Sequence, residues 1–278
     1  MWTGGHRGPP MAEVQIEEPM QVCALAVLPD GHRIAIARRW GHTAPSGIAV
    51  WDTRDAARVA IPTTIGFANG TGMEATALAA LPNGQLAVGF AYGMLCIVDV
   101  EAKAVVATLE GHVEKVTTLV VLSYVCFASG SWSSTVKLWD VTARVCTARL
   151  RGHEGPVISM VVLTNGQLAS AASDKTVRLW DVGSRTCVGA LPVHARNLAV
   201  LSGSNRLGVL TYDEKLLMWD TRDAAGGEPT PPTLTVELVG AGYGVTALVP
   251  LPGGRLATGG HGMRLWQLLL DDVVQAPL

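Results

Sequence analysis

Charged residues are scarce in this chain of 278 residues, and neither sign is in excess. Asp, Glu, Lys and Arg make up 16% of the sequence, against roughly 25% in an average soluble domain. Hydrophobic residues make up 49%, which excludes an intrinsically disordered chain. The 21 basic and 23 acidic residues leave a net charge of −2, without the positive excess that nucleic-acid binding requires. We therefore expect no nucleic-acid partner.

Cysteines are few, and the five that occur include no pair with the spacing CxxC. An odd number of cysteines without such a pair argues against a disulfide framework and against a zinc knuckle. No hydrophobic run approaches the roughly 18 residues that cross a bilayer, and the first ten residues lack the apolar core of a secretory signal. These absences indicate an intracellular protein, cytoplasmic or nuclear, with no membrane partner.

A helical period of hydrophobic residues is also missing, and an internal repeat is found instead. The segment GHVEKVTTLVVLSYVCFASGSWSSTVKLWDV begins at Gly111, and GHEGPVISMVVLTNGQLASAASDKTVRLWDV begins 41 residues later at Gly152. The two segments align without a gap. Because repeats of 20 to 50 residues are the mark of solenoids and propellers, this period decides the architecture.

Six units of this kind can be followed along the chain. Each is marked by an aromatic residue and Asp, or by a degenerate copy of that pair: Trp51-Asp52, Val98-Asp99, Trp139-Asp140, Trp180-Asp181, Trp219-Asp220 and Trp266-Gln267. Turn dipeptides recur independently, at Asp30-Gly31, Asn83-Gly84, Asn165-Gly166 and Gly253-Gly254, and such pairs supply the positive φ of a tight hairpin. In the clearest copy, four strands are predicted, at residues 157–163, 167–172, 176–181 and 186–191.

Four-stranded antiparallel sheets repeated around an axis form a β-propeller. We expect an all-β propeller of six blades in preference to seven, with residues 13–278 forming one domain after a flexible tail at residues 1–12. The outer strand of the last blade could come from residues 273–278 or from residues 13–17. Residues 13–17 are favoured, because their apolar and polar side chains alternate as in an outer strand.

The repeated units resemble the WD40 repeat, from about residue 22 to residue 267. The resemblance is carried by Gly111-His112 with Trp139-Asp140, and by Gly152-His153 with Trp180-Asp181. It implies a propeller in which each blade holds a buried polar chain of His, Ser or Thr, Asp and Trp. By position, this chain consists of His153, Ser170, Asp174 and Trp180 in one unit. The unit before it has His112, Ser129 and Trp139, with Ser133 in place of Asp, and the unit after it has His194, Asp213 and Trp219, with Val209 in place of Ser.

Catalytic and metal-binding motifs are not supported. The repeated histidines fall on separate blades, and the other histidines have no neighbouring ligands at metal-site spacing. The glycine-rich residues 240–244 are followed by no long helix that could bind phosphate. Ser170, His153 and Asp174 already form the structural chain, and nothing supplies an oxyanion hole. We therefore expect no enzyme activity, no metal and no cofactor.

The loops at one end of the blades are the predicted partner-binding surface. The candidate residues are exposed aromatic, basic and hydroxyl side chains in these loops: Tyr92, Trp132, Ser133, Lys175, Arg196 and Tyr243, with Arg38, Arg39 and Trp40 in an insertion at residues 37–47. Trp132 is the first candidate, because aromatic anchors are enriched in binding hot spots. The alternatives are that Trp132 lies flat over its own blade and that the insertion is a solvated loop.

These observations predict a non-enzymatic scaffold that binds proteins or peptides. The family resemblance implies a monomeric propeller within a larger complex, such as a ubiquitin ligase, where it would be the substrate receptor, or a signalling or chromatin assembly. The alternative is a propeller that binds or hydrolyses a small molecule. That alternative needs acids, histidines or a metal at the central channel, where apolar first-strand residues such as Val116, Leu119 and Val157 are expected.

Overall fold

The fold consists of antiparallel four-stranded sheets. The computed structural model describes residues 21–39, 47–55, 63–66, 74–201, 206–220, 234–237, 247–251, 255–259, 263–268 and 273–275. The first three sheets contain β1 Gln21–Val27, β2 Arg33–Arg39, β3 Gly47–Asp52, β4 Thr63–Gly66, β5 Ala75–Ala80, β6 Leu86–Phe90, β7 Leu95–Asp99, β8 Ala104–Leu109, β9 Val116–Val121, β10 Cys126–Ser131, β11 Val136–Asp140 and β12 Val145–Leu150.

The fourth to sixth sheets continue the same order. They contain β13 Val157–Val162, β14 Leu168–Ala172, β15 Thr176–Asp181, β16 Thr186–Leu191, β17 Ala195–Val200, β18 Arg206–Thr211, β19 Lys215–Asp220, β20 Leu234–Glu237, β21 Ala247–Leu251, β22 Arg255–Gly259, β23 Met263–Leu268 and β24 Val273–Gln275. A 3₁₀ turn follows β3 at Thr53–Asp55. Among the described residues, no helix is long and apolar enough to cross a bilayer.

The predicted fold class is confirmed. The described residues form six sheets, each a meander of four strands paired in chain order. The turn dipeptides do what the sequence predicts: Gly84 and Gly166 have φ of 84° and 83°. Asn83 and Asn165 accept hydrogen bonds from the backbone N–H two residues on, at 3.1 and 3.0 Å, so each hairpin is determined by its own residues.

The sheets pack face to face, and the interior lies between them. Val116, Phe127 and Trp139 of the third sheet pack with Leu95 and Ile97 of the second in one buried cluster. Further clusters join the third sheet to the fourth and the fourth to the fifth. These strands carry apolar residues on both faces because both faces are covered, as in any stacked sheet.

Hydroxyl groups tie the innermost strands of neighbouring sheets together. Thr76 Oγ1 in β5 donates to the carbonyl of Val116 in β9 at 2.5 Å, and Thr117 Oγ1 in β9 donates to the carbonyl of Val157 in β13 at 2.7 Å. Each threonine side chain therefore bonds to the backbone of the next sheet. These bonds fix the spacing of the inner strands where the sheets approach most closely.

Two sequence predictions about the ends of strands are wrong. The outer strand of the last sheet is Val273–Gln275, which pairs with β23, and not residues 13–17. A strand from the same end of the chain closes a much shorter loop than one brought from the N-terminus, which costs less entropy. The insertion at residues 37–47 is shorter than predicted, because Ala37, Arg38 and Arg39 continue β2 and Gly47 begins β3. Residues 1–17 lie outside the described residues.

The first and last sheets leave apolar side chains uncovered. Val22, Leu25 and Val27 in β1 are exposed, and so is Val249 in β21. On the other face of the first sheet, Ala35, Ala37 and Ile48 are buried against the second sheet. The first sheet is therefore covered on one face, while its inner strand remains accessible on the other.

Candidate functional site

The fourth sheet contains a complete buried polar chain. Trp180 Nε1 donates to Ser170 Oγ at 2.7 Å, and Ser170 Oγ lies 2.7 Å from His153 Nε2. His153 Nδ1 lies 2.8 Å from the carboxylate of Asp174. Because the carboxylate can only accept, Nδ1 carries the imidazole proton and Nε2 accepts from the Ser170 hydroxyl. The structure thus brings together all four residues that the sequence places in this chain.

The charges of this chain follow from burial and hydrogen bonding. Burial lowers the pKa of His153, and the contact with Asp174 opposes that shift only in part. Burial would raise the pKa of Asp174, but the backbone N–H of Glu154 and the side chains of His153 and Thr176 lower it below its ordinary value. At neutral pH a neutral imidazole therefore bonds to an ionised carboxylate, and every group in the chain has a partner.

The third sheet forms the same chain without an acid. Trp139 Nε1 donates to Ser129 Oγ at 2.7 Å, and His112 Nε2 lies 2.7 Å from that oxygen. Thr135 Oγ1 contacts His112 Nδ1 at 3.3 Å. Ser133, at the position of Asp174, donates to Ser131 Oγ at 3.0 Å. Burial, followed by the charge of Lys137, lowers the pKa of His112 to about 4.

The fifth sheet does not place His194 in such a chain, and the sequence prediction for it is wrong. Six residues separate β8 from β9 and β12 from β13, but only three separate β16 from β17. The carbonyl of His194 accepts the N–H of Tyr212, in the place that Pro156 and Lys115 occupy in the two earlier sheets. Asp213 lies in the turn where Asp174 lies in the fourth sheet, but it forms an ion pair with Lys215 at 3.2 Å. Trp219 is buried in the cluster between the fourth and fifth sheets.

The turns between the second and third strands carry exposed aromatic side chains. The backbone N–H groups of Ala91, Trp132, Ser173 and Tyr212 bond to equivalent carbonyls in the second, third, fourth and fifth sheets. The turns of these four consecutive sheets therefore lie at one end of the fold, which we call the aromatic face. Its aromatic residues are Tyr92 in the second sheet, Trp132 in the third and Tyr212 in the fifth, with exposed fractions of 78%, 52% and 46%.

A basic side chain lies over two of these rings. Lys115 Nζ is 5.4 Å from the centroid of Trp132, and the Arg196 guanidinium is 5.6 Å from the centroid of Tyr212. Lys115 directly precedes β9 and Arg196 is the second residue of β17, and both are at distances that allow a cation–π contact. The imidazole of His194 also stacks on Tyr212, with the two ring centroids 4.2 Å apart.

The remaining predicted residues are distributed as follows. Lys175 is exposed in the turn between β14 and β15, with φ of 65°. Arg38 and Arg39 belong to β2, in pairs with Val22 and Gln21, and their side chains lie outside the described part. Trp40 and Tyr243 also lie outside it. The sequence reasoning missed Tyr212, whose signal was an aromatic residue at the turn position of Trp132.

No metal-binding cluster is found in the described part of the chain. There, no group of three or more His, Cys, Asp or Glu side chains could hold a metal ion. Ser170, His153 and Asp174 form an arrangement of catalytic residue types, but it is closed to substrate because Ser170 and His153 are buried. All five cysteines are free thiols.

Comparisons with known proteins agree with the repeats and with the fold. The model of the family described as "WD domain, G-beta repeat" matches residues 103–140 and 144–181. Among curated proteins no match is found. Among solved structures, 1549 chains match. One of these, from the crystal structure of the Mitotic Checkpoint Complex, has a TM-score of 0.78 and 19% identity, with 100% of this chain and 88% of that chain covered. At that identity, the likeness concerns the fold.

Proposed function

We propose that this chain, two segments of which match the WD40-repeat family model, is a WD40-repeat propeller and a non-enzymatic scaffold that binds a protein or peptide on its aromatic face. The observation that carries the proposal is the set of exposed rings Tyr92, Trp132 and Tyr212 at the turns of three sheets. About half or more of the surface of each ring is open to a partner, and aromatic side chains are enriched in the hot spots of interfaces.

The architecture supports this function. The turns of the aromatic face are short, and the buried chains around His112 and His153 hold the turns of the third and fourth sheets against the strands. A rigid surface loses little conformational entropy when a partner binds. Lys115 and Arg196 add charge beside the rings, and a ring with a neighbouring cation can bind both the apolar and the acidic groups of a partner.

Catalysis is the less well supported function. The hydroxyl of Ser170 is used by Trp180 and His153, and the serine is fully buried. A nucleophile must be able to reach a substrate, so this arrangement serves the fold. The proposal therefore assigns the chain a binding role as a monomeric propeller inside a larger assembly. The five free thiols fit a reducing compartment, the cytoplasm or nucleus.

The proposal is tested by affinity purification of the full chain from its native cells, with quantitative mass spectrometry. The variant W132A/Y212A removes two rings of the aromatic face. The matched control is Y124A, because Tyr124 is 80% exposed in the turn between β9 and β10, at the opposite end of the sheet. Truncation of a hot-spot residue costs roughly 2 kcal/mol or more, so at least a thirtyfold loss of specific partners is expected for the double variant.

The wild type, W132A/Y212A and Y124A should have equal thermal unfolding midpoints, so that a loss of partners cannot come from unfolding. Partners that bind the wild type and Y124A but are lost from W132A/Y212A support the proposal. Partners that are retained by W132A/Y212A, or lost equally from Y124A, contradict it. A hydrolytic activity of the purified chain that disappears in S170A would overturn the non-enzymatic assignment.

A further inference from the structure

The fifth sheet contains a cavity of about 660 Å³ at the aromatic face. Its apolar wall includes Pro192, Val193 and Leu217, and its polar wall includes Thr211, Asp213 and Lys215. Cavities of several hundred Å³ with one apolar wall and a few polar groups are the usual form of a ligand site. The ring of Tyr212 and the side chain of His194 complete the described lining.

The cavity is present because the loop before β17 is short. By strand register, Asp213, Lys215 and Leu217 are equivalent to Asp174, Thr176 and Arg178 of the fourth sheet. In the fourth sheet the imidazole of His153 fills the space beside Asp174 and Thr176. The fifth sheet lacks three residues of this loop, and Val209 replaces the hydroxyl of Ser170. A histidine buried here would lack that partner, which is costly, and His194 instead lies exposed against Tyr212.

The charges around the cavity favour an acidic ligand. Asp213 already accepts from Lys215, at 3.2 Å, and Lys215 Nζ keeps further N–H groups for a second acceptor. The Arg196 guanidinium lies over the Tyr212 ring, 5.6 Å from its centroid, and no described carboxylate forms an ion pair with it. Two basic groups, Lys215 and Arg196, therefore lie at the cavity, and Asp213 is the one carboxylate of its described lining. An incoming carboxylate gains charge-assisted hydrogen bonds, whereas an incoming ammonium group meets two cations.

We propose that this cavity binds a glutamate or aspartate side chain of a partner peptide, with the carboxylate on Lys215 and the apolar part of the peptide against Val193 and Leu217. The peptide backbone crosses the stacked rings of His194 and Tyr212. The inference rests on the proposed function, because it places one contact of the partner on the same face. It makes the fifth sheet, which lacks the buried polar chain, the specificity site of the propeller.

The test uses two immobilised hexapeptide libraries with random flanking residues. One library has glutamate at the third position and the other has glutamine, so the two differ only in that carboxylate. The full chain is expected to bind the glutamate library at least tenfold more strongly. Lys215→Gln removes the ammonium group without changing the backbone and should abolish most of this preference. Lys103→Gln, at an exposed lysine in the turn between β7 and β8 at the opposite end of the sheets, should retain it.

The outcomes separate this inference from the proposed function. The proposal that the cavity binds an acidic side chain is contradicted if the wild type binds both libraries equally, or if K215Q keeps the preference for glutamate. If K215Q leaves the partners from native cells bound while W132A/Y212A loses them, the cavity proposal fails and the aromatic face stands. If neither variant changes partner binding, the face itself is wrongly assigned. A cavity-filling variant, Val193→Phe, should also lower glutamate-library binding at least fivefold, because its ring occupies the site.

Discussion

His112 and His153 hold the turns of their sheets by remaining uncharged. Each imidazole is buried and lies 2.7 Å from a serine hydroxyl that also accepts an indole N–H. An indole or hydroxyl taken from water without a partner costs roughly 1 to 3 kcal/mol, so the chain stabilises the fold only while it is complete. Protonation of the imidazole would convert the nitrogen that accepts from serine into a donor. The stability of the protein is therefore linked to the titration of two side chains.

This linkage predicts a loss of stability in mild acid. The pKa of His112 is about 4 in the folded protein, against an ordinary 6.5, so the unfolded chain binds a proton first as the pH falls. The free energy of unfolding should therefore fall by about 2 kcal/mol for this residue between pH 8 and pH 5. His153 has a pKa lowered in the same direction and adds to the effect. Urea denaturation at a series of pH values measures the slope.

The variant H112Q isolates the contribution of one residue. It should be less stable than the wild type at pH 8, because its amide fits the chain less well, and its stability should fall less steeply toward pH 5. H194Q, at an exposed imidazole, is the matched control and should follow the wild type. Parallel profiles for the wild type and H112Q would mean that His112 is not buried in its neutral form.

At the scale of elements, the separation of the sheets depends on small residues in the second strand. A Cβ placed on Gly130 in β10 would lie 2.6 Å from Val157 Cγ1 and 2.8 Å from Thr118 Cγ2. Gly89 in β6 meets Val116 of the next sheet in the same way. The inner strand of each following sheet passes close to these glycines, and the Thr117 hydroxyl that bonds to the Val157 carbonyl depends on that approach.

This packing predicts that a single methyl group at Gly130 destabilises the protein. G130A should lower the free energy of unfolding by about 1 to 3 kcal/mol, the usual cost of overpacking. The matched control is G183A, because Gly183 is exposed in a turn and a Cβ there has no contact closer than 3.4 Å; its cost should stay within about 0.5 kcal/mol. Chemical denaturation of both variants measures the difference. Equal costs would show that the third and fourth sheets are not in close contact at this point.

The whole molecule consists of sheets that each need their neighbours. In the part of the chain that the structure describes, four buried clusters each join two adjacent sheets. The inner strand of the third sheet is covered on both faces, whereas β1 in the first sheet has Val22, Leu25 and Val27 exposed on one face. The same residue type thus occupies two different environments, depending on where its sheet stands in the series.

Two valines test this difference. Val27 is 61% exposed and Val116 is 0% exposed, and both lie in the inner strand of a sheet. Threonine has nearly the shape of valine, so the substitution adds a hydroxyl with little change in volume. V116T should cost about 1 to 3 kcal/mol because the hydroxyl is buried without a designed partner. V27T should change the free energy of unfolding by no more than about 0.5 kcal/mol. Equal costs in thermal or chemical unfolding would mean that the open face of the first sheet is covered.

The features that the sequence predicted correctly are those set by residues close together in the chain. Asn165 and Gly166 form a hairpin turn through their own side-chain hydrogen bond and backbone conformation. The strands β13 to β16 begin and end within one residue of the predicted bounds. The polar chain around His153 was implied by the resemblance to the WD40 repeat, and its residues could be placed because this unit aligns with the preceding one without a gap. In these two units, residues that are equivalent in the sequence alignment are also equivalent in strand register.

The sequence by itself determined the repeat, the strands and the hairpin turns, since local sterics and hydrogen bonds set them. Only the tertiary structure decided which residues meet across strands. His194 keeps its spacing of 41 residues from His153 because each lies three residues after the end of the preceding outer strand, but it loses its place because it directly precedes β17, whereas three more residues separate His153 from β13. The identity of the outer strand of the last sheet also became clear only from the structure, in which residues 273–275 pair with β23. Spacing along a chain measures backbone length, whereas a site depends on strand register, and the two agree only where no loop has changed.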